Sequence, residues 1–139
     1  MGLQASDPAA PAGAVRPPAM VTSFIDGAPV TPAAVSGGAE LPVVYPATGE
    51  RVSTLSEADA DEVGLAVAAA RRAFDRSDWP RWGVERRQAL LLAIRDTLLA
   101  HADELAYLEC LNTGLVLREL RERHAKRAAY NFAFFAEFI

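Results

Sequence analysis

The sequence has few cysteines, no long apolar run and no excess of basic residues. Its 139 residues include one cysteine, Cys110, so an internal disulfide is excluded and a reducing, cytoplasmic location is expected. No apolar run approaches the roughly 20 residues that a membrane-spanning helix needs, so no membrane partner is expected. Acidic residues outnumber basic ones and the formal net charge is −4, which argues against nucleic acid as a partner.

The short motifs of catalytic and cofactor sites are also lacking. The chain contains no Gly-x-Gly-x-x-Gly string, no phosphate-binding Gly-Lys-Ser/Thr loop and no His, Cys and Asp residues at metal-ligand spacing. Cys110 lies in a predicted helix with no basic residue one turn away to stabilise a thiolate, so we predict burial rather than nucleophilic attack. The sequence therefore predicts no catalytic, cofactor-binding or metal-binding residue within this chain.

The amino-terminal part predicts a small β unit that follows an unstructured tail. Residues 1–22 are rich in alanine and proline and are predicted to be a disordered tail, because they cannot repay the entropy of ordering. Asp26-Gly27 between two short apolar runs predicts a hairpin. Residues 41–45 and 51–55 have the composition of further strands. We expect these strands to form an antiparallel unit.

About four helices are predicted after the strands, so the expected fold class is α+β. The first follows Ser56, which resembles an N-cap, and has one apolar face: Val63, Ala66, Val67, Ala70 and Phe74. The second covers 84–100, and the third ends near Gly114, which suits a left-handed C-cap. The fourth begins near Val116. Residues spaced three or four apart along it are expected to share one stripe of the helix surface: Leu117, Leu120, His124, Ala128, Asn131, Phe135 and Phe138.

Basic side chains are concentrated between Arg118 and Arg127 on the predicted fourth helix. They allow either a phosphate-binding strip or a solvated helix face. Glu119 with Arg123, and Glu122 with Lys126, have the i,i+4 order that favours ion pairs. The solvated face is therefore the favoured interpretation.

Several strings resemble, in order, the opening of aldehyde dehydrogenases: Phe24-Ile25-Asp26-Gly27, Pro46-Ala47-Thr48-Gly49-Glu50, Ala66-Val67-Ala68-Ala69-Ala70-Arg71, Glu85-Arg86-Arg87, Asp103-Glu104-Leu105-Ala106 and Thr113-Gly114. The resemblance covers 23–139 and implies an incomplete N-terminal part of the α/β aldehyde dehydrogenase domain. It implies a homo-oligomeric parent enzyme that uses NAD or NADP. The catalytic cysteine, the glutamate base and the cofactor-binding strands would lie in the missing remainder, which is the expected partner.

A finer resemblance points to the branch that acts on hydroxymuconic semialdehydes, through strings near the carboxyl end: Thr113-Gly114-Leu115, Arg127-Ala128-Ala129, Asn131-Phe132 and Phe134-Phe135-Ala136-Glu137. It implies oxidation of an acidic semialdehyde from aromatic ring cleavage, as in aromatic catabolism. It also implies that Arg127 grips the substrate carboxylate, and helical spacing places Arg123 and His124 close to Arg127 along the same side. The substrate itself stays open, because three positions depart from the family pattern: Tyr45, Asn112 and Val116.

Three interpretations of the chain remain. The first is an incomplete dehydrogenase, inactive alone and prone to aggregate because its apolar helix faces lack partners. The absence of a Gly, Pro or polar stop before Ile139 favours this interpretation, since it indicates that the reading frame once continued. The second is a stand-alone helical protein-interaction module. The third is one half of a split dehydrogenase.

Overall fold

The computed structural model describes residues 16–30 and 39–139. Most of the predicted tail, residues 1–15, lies outside these described residues. The chain forms two compact units. The described residues of the strand–helix unit are 18–30, 39–43 and 51–81, and those of the helical unit are 16–17, 44–50 and 82–139.

The strand–helix unit begins with the hairpin that the sequence predicts. The strands of the chain are, in order, β1 (Met20–Val21), β2 (Phe24–Ile25), β3 (Ala28–Pro29), β4 (Glu40–Val44) and β5 (Arg51–Ser56). β2 and β3 pair antiparallel. Asp26 and Gly27 between them have φ values of 55° and 82°. Positive φ at both central residues is the two-residue turn that Asp-Gly favours, so the hairpin prediction is confirmed.

A second sheet contains a strand pair that the sequence does not indicate. Its order is β1-β5-β4, and β1 runs parallel to β5 with Met20 opposite Thr54. Two further hydrogen bonds join the same segments, from the Thr54 N–H to the Ala19 carbonyl and from Ser53 Oγ to the Pro18 carbonyl. Met20 and Val21 therefore form a strand inside the segment predicted as a tail, because a partner far along the chain satisfies their backbone groups.

Helix α1 (Ala60–Arg76) completes the strand–helix unit and is followed by a 3₁₀ turn at Trp79–Arg81. Its N-cap is Asp59, whose carboxylate accepts a hydrogen bond of 2.8 Å from the Glu62 N–H. Ser56 belongs to β5, so the predicted N-cap there is wrong; Asp59 stands at the position from which a side chain reaches the first helical turn. The predicted apolar face is largely solvent-exposed within this unit: Val63, Ala66, Val67, Ala70 and Phe74.

The helical unit contains α2 (Val84–Ala100), α3 (Ala102–Thr113), α4 (Leu117–Glu119), a π-helical turn at Leu120–His124, and α5 (Ala125–Phe138). The predicted bounds of the second helix are confirmed. Gly114 caps α3 with φ 73° and donates its N–H to the Cys110 carbonyl at 2.8 Å, which confirms the predicted left-handed cap.

The π-helical turn changes which side of the last helix is buried. The Ala125 N–H donates to the Leu120 carbonyl, five residues back, so one extra residue enters the turn. Beyond Leu120 the buried positions are Ala125, Ala129 and Ala136. The residues of the predicted stripe beyond Leu120 are exposed: His124, Ala128, Asn131, Phe135 and Phe138.

The packing of the helical unit depends on small side chains. α5 packs mainly against α2, and its buried alanines allow the two helices to approach closely. A cluster of Ala106, Cys110 and Leu120 joins α3 to the π-helical turn. Cys110 is 2% exposed, which confirms the prediction that it is a packing residue. No helix in the described part of the chain has the length and apolarity to cross a membrane.

Candidate functional site

A polar cleft of the helical unit lies between α3 and the last helix, and its volume is about 300 Å³. Glu109 contributes from α3. Three residues of the last helix line the opposite side, at spacings that place them on one face: His124, Arg127 and Asn131, with Ala128 between them. The π-helical turn orients this face away from the alanines that pack on α2.

An ion pair connects the two sides of the cleft. His124 Nδ1 lies 3.7 Å from Glu109 Oε1. The pair is attractive when the imidazole is protonated. Both side chains are almost half exposed, so solvent screens the attraction and its contribution to stability is small.

Arg127 places a guanidinium group on the same cleft. Within residues 16–30 and 39–139 it forms no ion pair or side-chain hydrogen bond. Its five N–H donors are thus free to bind an external acceptor, and the planar fork of the group matches a carboxylate. Asn131 adds an amide group one turn further along the helix. This face of the cleft can bind an anion.

Arg123 takes a different position from the other two predicted site residues. Its guanidinium lies 3.4 Å from Glu119 along the helix, and it does not line the cleft. The structure therefore brings His124 and Arg127 together but leaves Arg123 in the i,i+4 pair that a solvated face predicts. The second predicted pair, Glu122 with Lys126, is not formed in the described part of the chain.

The strand–helix unit has a groove of different chemistry, of about 270 Å³, between the hairpin and α1. Its lining is almost entirely apolar: Phe24, Ile25, Ala66, Ala69, Ala70 and Ala73. Asp26 is the one charged residue in that lining, and its carboxylate is paired with Arg72 at 2.9 Å. Nothing in this groove is suited to acid–base or nucleophilic chemistry.

Other candidate groups serve structural roles. His101 lies between α2 and α3 as the cap of both helices, with Nδ1 3.0 Å from Glu104. Among the residues that the structure describes, no three His, Cys, Asp or Glu side chains come together to hold a metal ion. The candidate ligand-binding groups are therefore those of the cleft, namely Glu109, His124 and Arg127.

Glu109 is the cleft residue that sequence reasoning did not assign. It stands in the family-like string of α3, and helical spacing shows only which residues share its own helix. Its contact with His124 spans two helices and a loop. The one available signal was compositional, since a basic strip on one helix needs acidic residues nearby.

The comparisons with known proteins agree with this architecture. Residues 34–139 match the model of the Aldehyde dehydrogenase family. Aldehyde dehydrogenase 1 of Tanacetum cinerariifolium is 37% identical over 99 residues, which are 71% of this chain and 20% of that protein. The chain thus spans about a fifth of that relative's length.

Solved structures give the same result. The NAD-dependent aldehyde dehydrogenase from Sinorhizobium meliloti superposes with a TM-score of 0.76 and 33% identity, over 88% of this chain and 24% of that one. Betaine aldehyde dehydrogenase from Staphylococcus aureus, solved in complex with NAD+, superposes with a TM-score of 0.74 and 30% identity, over 84% of this chain and 22% of that one. Strands followed by helices match the N-terminal part of this fold. The chain belongs to the aldehyde dehydrogenase family.

Proposed function

We propose that this segment serves an NAD(P)-dependent aldehyde dehydrogenase that oxidises an acidic semialdehyde of the hydroxymuconic type to the acid, and that it is inactive alone. The observation that carries the proposal is the position of Arg127. Its guanidinium lines a polar cleft with His124 and Asn131 and has no ion-pair partner among the described residues. A carboxylate at the end of the substrate remote from the aldehyde fits this group.

The reaction requires groups that this chain does not supply. Aldehyde oxidation needs a thiolate nucleophile, an oxyanion donor, a general base and a nicotinamide that accepts hydride. Cys110 is buried in the helical core, and the sequence has no Gly-rich turn opening a helix to cradle a dinucleotide. The residues present do not fit NAD, which would be held by other parts of the family fold. The contribution of this chain is the positioning of substrate.

The contribution of Arg127 to substrate binding can be measured as a change in kcat/KM. A charge-assisted hydrogen bond to a carboxylate contributes about 1.5–3 kcal/mol, which corresponds to roughly 10- to 100-fold in kcat/KM. The guanidinium is exposed and partly screened, so we expect the lower part of that range. The effect should be confined to aldehydes that carry a carboxylate.

The test uses a full-length dehydrogenase that contains this segment. We expect Arg127→Met to raise KM for an acidic semialdehyde at least about fivefold and to leave a neutral aldehyde of equal length unchanged. Lys126→Met is the matched control, because Lys126 is exposed on the neighbouring position and does not line the cleft. An unchanged KM for the acidic semialdehyde in Arg127→Met would refute the proposed substrate class.

One observation favours a second candidate, a half of a split dehydrogenase. Phe134, Phe135 and Phe138 form an exposed aromatic cluster on α5, and such a surface suits a protein partner. Co-expression with a chain that supplies the cofactor-binding and catalytic parts should then restore NAD reduction. Failure of the two chains to co-purify, or a co-purified complex without NAD reduction, would count against this candidate.

A further inference from the structure

The acidic side chain of the cleft makes a contact between two elements, as Asp103 of α3 does with Arg121. The ion pairs of Arg123 with Glu119 and of His101 with Glu104 each join residues within one helical turn. Glu109 instead reaches from α3 to His124 of the last helix. Glu109 is half-buried, and its carboxylate lines the cleft that Arg127 enters. A carboxylate is therefore built into a cleft whose remaining charged groups are basic.

We infer that Glu109 is a positioning and specificity residue, which holds His124 and restricts the cleft to a singly charged carboxylate in preference to a doubly charged anion. This inference rests on the proposed function, because it concerns the same cleft. It extends the proposed function by specifying the charge of the ligand, and it assigns Glu109 as a second residue that selects the ligand by this charge.

The charges of the cleft lead to this preference. Arg127 carries one positive charge that is not paired within the described residues, and Asn131 carries none. A monocarboxylate neutralises Arg127 and leaves the Glu109–His124 pair intact. A dianion, such as a phosphonate or a second carboxylate, would bring additional negative charge towards Glu109. At short distances near a protein surface such repulsion disfavours the dianion.

Other charged groups nearby do not cancel the effect of Glu109. On the last helix, Arg123 is paired with Glu119, and Arg121 lies 3.3 Å from Asp103 of α3. Glu122 and Lys126 are exposed and do not line the cleft. The electrostatic balance at the ligand thus depends on Glu109, His124 and Arg127.

The experiment compares three aldehydes in the full-length dehydrogenase: a neutral one, one with a monocarboxylate tail and one with a phosphonate tail. We expect the wild type to prefer the monocarboxylate to the phosphonate. Glu109→Gln should shift that ratio of kcat/KM towards the phosphonate by about tenfold, through KM and not kcat, because the repulsion is removed. The neutral aldehyde should not respond.

Two further variants separate charge from position. Glu109→Asp keeps the charge but shortens the reach to His124, so it should weaken binding of the monocarboxylate without shifting the preference towards the phosphonate. If Glu109 acts through His124, the effects of Glu109→Gln and His124→Gln on the monocarboxylate should be non-additive. Glu104→Gln is the matched control, since Glu104 pairs with His101 outside the cleft.

The outcomes distinguish this inference from the proposed function. Equal changes for all three aldehydes in Glu109→Gln, or an unchanged ratio, would overturn the role of Glu109. If Arg127→Met still raises KM for the acidic aldehyde in that case, the proposed function survives. If Arg127→Met has no effect while Glu109→Gln shifts the ratio, the charge preference stands and the assigned carboxylate ligand is wrong.

Discussion

The side-chain amide of Gln88 in α2 donates a hydrogen bond of 2.8 Å to the main-chain carbonyl of Ala136 in α5. Ala136 lies in the last turn of its helix, where carbonyl groups have no partner within the helix. It is also fully buried, so the carbonyl has little access to water. Gln88 thus satisfies an otherwise unpaired acceptor at the contact between the two main helices.

Gln88→Met should lower the free energy of unfolding by about 0.5–1.5 kcal/mol, because the Ala136 carbonyl loses its donor while the volume of the side chain is kept. Urea denaturation of the two proteins measures the difference. Lys126→Met, at an exposed position of α5, is the control and should change stability little. Equal effects of the two substitutions would show that the hydrogen bond does not stabilise the helix pair.

Gly114→Ala and Gly64→Ala should change stability in opposite directions. Gly114 has φ 73°, and an added Cβ would lie 3.1 Å from Pro46 Cβ, so alanine should cost about 1–3 kcal/mol. Gly64 lies inside α1 with no atom within 4 Å of an added Cβ, so alanine should stabilise by about 0.5–1 kcal/mol. Thermal and urea unfolding measure both. A neutral Gly114→Ala would mean that the left-handed cap is not required.

Deletion of Glu122 tests the π-helical turn. Removing one residue from this turn should convert it to α-helix while Leu120 and Ala125 stay on one face, so most stability should be retained. Deletion of Tyr130, an exposed residue of α5, should rotate Ala136 away from α2 and cost about 2 kcal/mol or more. Circular dichroism during urea unfolding compares the two deletions. Similar losses would contradict the interpretation that the turn contains one extra residue.

Phe138→Lys should reduce self-association of the 139-residue chain. Phe138 is 77% exposed and stacks on the exposed ring of Phe134, which gives a contiguous apolar surface. Because the side chain contributes little to the core, the midpoint of unfolding should be almost unchanged. Light scattering and binding of a hydrophobic dye provide the measurement, with Asn112→Lys, at an exposed neutral position, as the charge-matched control. A wild-type chain that stays monomeric and binds no dye would contradict this prediction.

The fold was predictable where neighbouring residues decide the conformation. Asp26-Gly27 formed the expected hairpin, and Gly114 ended α3 in the expected left-handed conformation. The bounds of α2 and the burial of Cys110 were also predicted correctly. Each depends on turn chemistry, helix caps or helical spacing, which act over a few residues.

The candidate site was predictable only in part. His124 and Arg127 were singled out from the resemblance, and the structure places both on one cleft with Glu109. The role of Glu109 was missed because its contact joins two helices. The π-helical turn was also not predicted, because regular spacing of three and four residues assumes an uninterrupted α-helix.

The sequence by itself determined the order of strands and helices, the turns and caps between them, and the family to which the chain belongs. Only the tertiary structure decided that β1 joins β5, that a π-helical turn buries Ala125, Ala129 and Ala136 instead of the predicted stripe, and that Glu109 meets His124. The physical reason is distance along the chain. Local preferences are set by neighbouring residues, whereas strand pairing and the buried face of a helix are chosen by segments that meet only after folding.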